Sequence, residues 1–279
     1  MKKAFKIIGW VIGIFLIGAG TIFLVAWKSP AFYKVQKRSP LEQAYVTFIR
    51  YSGEHPRPYI IETQGAIIFG AEHTRNPQHR EIKMIEEKWK TLKPSIALVE
   101  GRLGFLLPGL MDPVANLGEG GKVKQLAEKD DIPIYNWDLS KEELAIQLKS
   151  KFSNEQIALA QILQPYFSQL RFGKPSSEAD FLQPFFKRAA IVGLEDSIKS
   201  VQDIDKVWKK YFSTIDWRNV SDETTLPGYL NDMLAVTNDL RNQQLISVVN
   251  ELVSKGERVF LICGSSHAYC VGPAFKADK

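Results

Sequence analysis

Short apolar runs alternate with helical patterns along most of this chain. PYIIET and GAIIFG, separated by Gln64 and Gly65, are typical of two strands joined by a tight connection. The next segment has apolar residues at Ile82, Ile85 and Trp89, the spacing of a helix, and the apolar strand of SIALVEG follows it. The same order returns in GGKVKQLAEKDDIPIYNWD and again before RVFLICG. This alternation predicts an α/β fold, with a mostly parallel sheet flanked by helices.

The alternation stops between about residues 140 and 225, where only helical patterns follow one another. Ser140 precedes Glu143 by three positions and Ser153 precedes Gln156 by the same distance, which is the capping box found at helix starts. The segment therefore predicts a helical insertion in the sheet domain. Its many aromatic residues either pack between these helices or cover a site and supply an apolar groove for a substrate.

A run of 20 residues without a charge, Ile7–Ala26, stands near the start of the chain. At about 1.5 Å per residue, a helix of this length matches the hydrocarbon core of a bilayer, which is about 30 Å thick. A cleaved signal peptide is the alternative, but it has a shorter apolar region and a small residue where Trp27 stands. We expect one transmembrane helix, with the N-terminus in the cytoplasm and the domain outside, because a short basic tail is hard to translocate. The predicted division is a membrane anchor (1–28), a linker with an entry helix (29–57) and the α/β domain (58–279).

The charge distribution argues against a nucleic-acid partner. Seven of the 36 basic residues lie in residues 1–40, which contain no acid, so the rest of the chain has 29 basic and 31 acidic residues. A nearly neutral domain lacks the positive patch that polyanions require. The two cysteines, Cys263 and Cys270, give neither a disulfide framework nor a metal pattern, and we expect two buried thiols.

Two of the four histidines follow a glycine at the end of a buried strand by three positions: His73 follows Gly70, and His267 follows Gly264. Side chains at the carboxyl ends of parallel strands face the crevice where ligands bind. The glycines would let the backbone turn, and the first turn of a following helix would keep each imidazole neutral and able to bind a metal. A structural role is the ordinary explanation of one such histidine, but the repeated offset raises the alternative of a shared site.

A carboxylate and a cation could complete such a site. Glu100 ends the strand of SIALVEG, and Asp138 follows the next strand, where it is explained equally well as a helix cap. Arg241 lies with Asn238 and Asn242 on the apolar face of a long predicted helix. A buried arginine needs a partner, so Arg241 forms either a structural ion pair or an anchor for a substrate carboxylate or a developing oxyanion.

The remaining histidines do not follow strand ends. His55 lies in GEHPRP, which indicates an exposed turn, and His79 comes six residues after His73, beyond Pro77. We expect both to be dispensable for a metal site.

These motifs resemble those of the TraB/PrgY/GumN/Tiki family, part of the wider erythromycin-esterase and ChaN-like superfamily. The resemblance covers residues 58–279 in plan and is specific at GAEH, VEG, LRNQQL and GSSH, while Gly101 and Arg102 replace an acidic residue that many relatives carry. It implies membrane-anchored, divalent-metal-dependent proteolysis outside the cell, as in the Tiki branch, or sequestration or inactivation of peptide pheromones, as in the PrgY branch. Carried over by motif, the site residues would be His73, Glu100, Arg241 and His267.

Two classes of function follow. In the first, His73 and His267 hold an ion of the Mn, Co or Zn class, with or without Glu100 as a third ligand. The ion activates a water that attacks an amide or ester bond of a peptide or small molecule. Glu100, if it is not a ligand, would be the general base. In the second, the same cleft binds a peptide or a haem-like ligand without chemistry. A shared ion requires the strands that end at Gly70 and Gly264 to be close in the sheet.

Overall fold

The computed structural model of the protein describes residues 26–36 and 45–275. Contacts within the chain divide it into two units. Among the described residues, the first unit comprises 26–36, 45–46, 51–138 and 242–275, and the second comprises 47–50 and 139–241. The predicted insertion, about 140–225, lies within the second unit.

The first unit is built on a sheet that has five strands in the described residues. These are β1 (Tyr59–Glu62), β2 (Ala66–Ala71), β3 (Ile96–Val99), β4 (Ile134–Asn136) and β5 (Val259–Gly264). Their order is β1-β2-β5-β3-β4. β1 pairs with β2 in antiparallel fashion, and the other pairs are parallel. The mostly parallel sheet predicted from the sequence is confirmed, with the strand nearest the end of the chain at its centre.

The described residues form eight α-helices, and those between residues 141 and 211 belong to the second unit. The eight helices are α1 (Arg80–Leu92), α2 (Pro113–Lys129), α3 (Lys141–Leu148), α4 (Asn154–Gln169), α5 (Glu178–Leu182), α6 (Val201–Tyr211), α7 (Tyr229–Ser254) and α8 (Ser265–Phe275). Short 3-10 segments occur at Phe48–Arg50, Leu170–Phe172, Gln183–Val192 and Trp217–Asn219. The boundary between the two units falls inside α7, after Arg241.

The central strands are buried on both faces, which explains why they read as continuous apolar runs. Leu98 and Leu261 pack on one face with residues of α7 such as Val248. Their neighbours along the strands, among them Val99 and Phe260, pack on the other face with α1. Because both faces are filled with apolar side chains, polar groups of this sheet are confined to its edges and strand ends.

The predicted helix starts in the second unit are confirmed. Ser140 and Glu143 form a capping box at α3, and Ser153 and Gln156 form one at α4. The core of this unit is rich in aromatic residues, and the rings of Tyr166 and Trp217 meet edge to face at 5.0 Å. The described aromatic core residues of this unit therefore pack between its helices, which is the first of the two alternatives considered for them.

The predicted transmembrane helix, Ile7–Ala26, lies outside the described residues except for Ala26. Within the described ranges, no helix has both the length and the apolar character needed to cross a membrane. In the predicted linker, the described residues between 29 and 57 contain one helical segment, the three-residue Phe48–Arg50.

Candidate functional site

The sheet order places three candidate residues at one edge. β5 lies between β2 and β3, and Gly264 pairs with Ala71 of β2. Because these three strands are parallel, their carboxyl ends point the same way. His73, Glu100 and His267 each follow one of these ends within three residues. The strands are therefore neighbours, as a site shared by the two histidines requires.

Glu100 is fixed at the end of β5 by a backbone hydrogen bond. The N–H of Gly264 donates to Glu100 Oε2 at 2.7 Å. The other carboxylate oxygen, Oε1, lies 3.9 Å from Nε2 of His267.

His267 occupies the first turn of α8, as predicted, and is only 6% exposed to solvent. Its Nδ1 lies 2.7 Å from Oδ1 of Asn242. Since an amide oxygen only accepts, Nδ1 donates this hydrogen bond. The ring also meets Trp137 edge to face at 5.6 Å.

His73 differs from the prediction in its local structure. It lies in the exposed loop between β2 and α1, with φ of 69°, and not in the first turn of a helix. Gly70 lies inside β2 and makes no turn, whereas Gly264 is the last residue of β5 and α8 begins directly after it, as predicted. The role of Gly264 is space: a Cβ there would stand 2.9 Å from His73 Nε2. The absence of a side chain lets the imidazole approach the end of β5 and Glu100.

Two buried carboxylates hold the loop on either side of His73, and sequence reasoning missed both. Glu81 accepts hydrogen bonds from the N–H of Glu72 at 3.1 and 3.2 Å, and Glu119 accepts one from the N–H of Thr74. Positive φ is rare for a residue other than glycine, and such strain persists only where the surroundings enforce it. Glu81 and Glu119 supply that enforcement from α1 and α2.

The electrostatics of this loop are unusual at Glu81. Burial raises the pKa of its carboxyl to about 7, the N–H of Glu72 opposes the rise, and the negative charges of Glu119 and Glu72 add to it. The fold reaches this arrangement through a kink at Gly118, whose φ is 64° and where a Cβ would meet the Thr74 carbonyl oxygen at 3.2 Å. The GEGG segment (118–121) therefore positions Glu119.

Arg241 is the last residue of the second unit, and it is partly buried on α7. Its predicted role as a substrate anchor beside the two histidines stays a prediction. Asn242, the next residue along α7, was placed by the sequence on the same inward face without a role, and the structure gives it one, as the partner of His267. Its Nδ2 is buried and has no hydrogen-bond partner among the described residues.

The other two histidines lie elsewhere in the fold. His55 lies in the mostly exposed segment GEHPRP, as predicted, but its ring is half-buried and stacks on Tyr51 and Tyr269 at 5.6 and 5.2 Å. His79 stands at the N-cap position of α1 without a side-chain capping hydrogen bond, and its Nδ1 lies 3.9 Å from Glu81 Oε2. Cys263 and Cys270 are free and buried, as predicted.

The donor chemistry of the site suits a divalent ion. Two imidazoles and a carboxylate are the ligand set of many zinc sites, and ligand atoms about 2.1 Å from one ion can lie 3.9 Å apart, as His267 Nε2 and Glu100 Oε1 do. Within residues 26–36 and 45–275, no three His, Cys, Asp or Glu side chains already stand in the arrangement of a metal site.

Comparison with known proteins finds no match: no family model, no curated protein and no solved structure is similar to this chain.

Proposed function

We propose that this chain is a membrane-anchored hydrolase of the TraB/PrgY/GumN/Tiki type, which cleaves an amide or ester bond of a peptide or small molecule outside the cytoplasm. The observation that supports the proposal is the convergence of His73, Glu100 and His267 from three neighbouring strand ends. Positive φ at His73 and the buried Nδ2 of Asn242, which has no hydrogen-bond partner among the described residues, add to it, because strain and unsatisfied polar groups cluster at functional sites.

In this proposal the carboxylate of Glu100 moves the protons. Its Oε2 accepts a hydrogen bond from the N–H of Gly264, and the carboxylate would accept a proton from an attacking water and return it to the leaving group. His267 would bind through Nε2, with Asn242 holding the ring through Nδ1. Arg241 would stabilise the developing oxyanion or hold a substrate carboxylate.

His73 and His267 would hold a divalent ion of the Mn, Co or Zn class, with Glu100 as a third ligand when it is not acting as the base. Such an ion, when bound, lowers the pKa of a bound water towards 7. Asn242 and the backbone of Gly264 would keep two of these side chains in place as the third adjusts.

The test is hydrolysis of fluorescence-quenched peptides and nitrophenyl esters by the full chain in detergent. We expect turnover that a chelator abolishes and that Mn²⁺, Co²⁺ or Zn²⁺ restores. Glu100→Gln should lower turnover by about 100-fold or more, in the range of a lost general base, and Arg241→Ala should lower turnover with metal still bound. A matched control is Glu62→Gln, which removes a carboxylate at the far end of β1.

Metal binding without hydrolysis of any substrate in the set would contradict this proposal. It would favour the alternative of a protein that binds a peptide or haem-like ligand in the same cleft.

A further inference from the structure

The loop that follows Glu100 exposes apolar side chains to solvent. Its sequence from 103 to 111, LGFLLPGLM, contains no charged residue. Phe105 is 57% exposed and Leu110 is 83% exposed. Single exposed apolar residues are common on protein surfaces, but two large ones in a nine-residue apolar loop indicate a contact surface.

The position of this loop identifies what it contacts. The N–H of Trp27 donates to the carbonyl oxygen of Leu106 at 2.8 Å, so the loop lies directly against Trp27. Trp27 immediately follows Ile7–Ala26, the uncharged run predicted to span the membrane. Trp27 is buried, so it fixes the start of the described chain against this loop. The exposed apolar loop is therefore attached to the chain where that chain would leave the bilayer.

A groove beside Trp27 is lined by both apolar and polar residues. Its volume is about 580 Å³. Its lining combines the apolar segment from Pro108 to Met111 with polar residues of both charges, Asp112, Gln125, Glu128 and Lys129. Apolar and charged groups side by side suit the boundary between the acyl chains and the headgroups of a lipid layer.

We propose that the loop 103–111 inserts Phe105 and Leu110 into the outer face of the bilayer that holds residues 7–26. The loop begins three residues after Glu100, so insertion would turn the carboxyl edge of the sheet towards the membrane surface. This inference rests on the predicted membrane span and not on the proposed hydrolysis.

Spin labels on the full chain in lipid nanodiscs test the proposal. Cysteine is introduced singly at Leu110, Phe105 and Lys90, and the native Cys263 and Cys270 are too buried to react. Lys90 is the matched control, since it is exposed in the last turn of α1, which leads to the amino end of β3. We expect collisions of the labels at Leu110 and Phe105 with oxygen, which concentrates in lipid, to exceed those with a water-soluble nickel complex by about threefold or more, and the Lys90 label to show the reverse.

Nickel accessibility at Leu110 and Phe105 equal to that at Lys90 would overturn the proposal. A further label at Phe15, inside the uncharged run, distinguishes membrane anchoring of residues 7–26 from insertion of the loop. Lipid contact at Phe15 with water at Leu110 would keep the anchor and reject insertion of the loop, and water at both positions would reject both.

Discussion

At the scale of single residues, the orientation of His267 depends on one amide. Asn242 is fully buried, and its Oδ1 accepts the proton of His267 Nδ1 at 2.7 Å. We expect Asn242→Ala to weaken metal binding by about 10–100-fold, the usual effect of losing the partner that orients a metal-binding histidine. The matched control is Gln243→Ala on the same helix, which loses a hydrogen bond to the Tyr45 hydroxyl and should leave metal affinity unchanged. Equal losses in calorimetric titration of both variants would contradict the assigned role.

The buried carboxyl of Glu81 predicts a pH dependence of stability. Its pKa is raised from 4.5 to about 7, so below pH 4.5 it is protonated in both folded and unfolded chains. Between pH 4.5 and 7 the unfolded chain gives up this proton and the folded chain keeps it, so the free energy of unfolding falls as pH rises. A shift of this size corresponds to about 3 kcal/mol, fully lost above pH 7.

We therefore expect urea unfolding of the native chain to show a decline across this window that Glu81→Gln lacks. Glu87→Gln, which removes an exposed carboxylate from the same helix, should keep the decline. Parallel pH curves for the native chain and Glu81→Gln would show that Glu81 is not the group responsible.

The sequence predicted some residues of the site and missed others for a physical reason. His267 and Glu100 stand at strand ends, and strand ends can be read from local apolar patterns. Glu81 and Glu119 act on the backbone N–H groups of Glu72 and Thr74, and nothing in the local pattern marks a residue whose partner is a distant main-chain group. Such contacts follow only from the three-dimensional packing of α1 and α2.

At the scale of elements, the central position of β5 assembles the site. Its last residue, Gly264, donates to Glu100 and leaves room for His73. We expect Gly264→Ala to displace His73, because the new Cβ would stand 2.9 Å from Nε2, while an exposed side chain can move without unfolding the domain. Metal affinity should fall by about tenfold or more, with the melting temperature nearly unchanged. Gly104→Ala, where the nearest atom is 3.5 Å away, is the control. A large loss of melting temperature with unchanged metal affinity would contradict this role of Gly264.

Element types were predictable and element order was not. The hairpin of β1 and β2, the capping boxes of α3 and α4 and the alternation of strand and helix follow from local sequence periods. The placement of β5 between β2 and β3 depends on pairing of Val259 with Ala66 and with Ile96, residues far away in the sequence, which no local pattern encodes. The helix expected at His73 is not found there, because α1 begins only at Arg80.

At the scale of the whole molecule, we expect the chain to have its N-terminus in the cytoplasm and its domain outside. Alkaline phosphatase, which folds only in an oxidising compartment, should be active when fused after Lys279, and a cytoplasmic reporter at the same site should be inactive. The reverse pattern would contradict the orientation. A mature N-terminus near Ser29 would contradict the retained anchor, because the uncharged run would then have been removed.

The metal content of purified variants tests whether His73 and His267 bind one ion. Mass spectrometry of the native chain should give about one ion of the Mn, Co or Zn class per chain. His73→Ala and His267→Ala should each reduce this content to about a tenth or less, and the double variant should be no worse, because the pair acts as a unit. His79→Ala, at the cap of α1, is the matched control and should keep its metal. Retention of metal in both His73→Ala and His267→Ala, or its loss only in His79→Ala, would contradict the account.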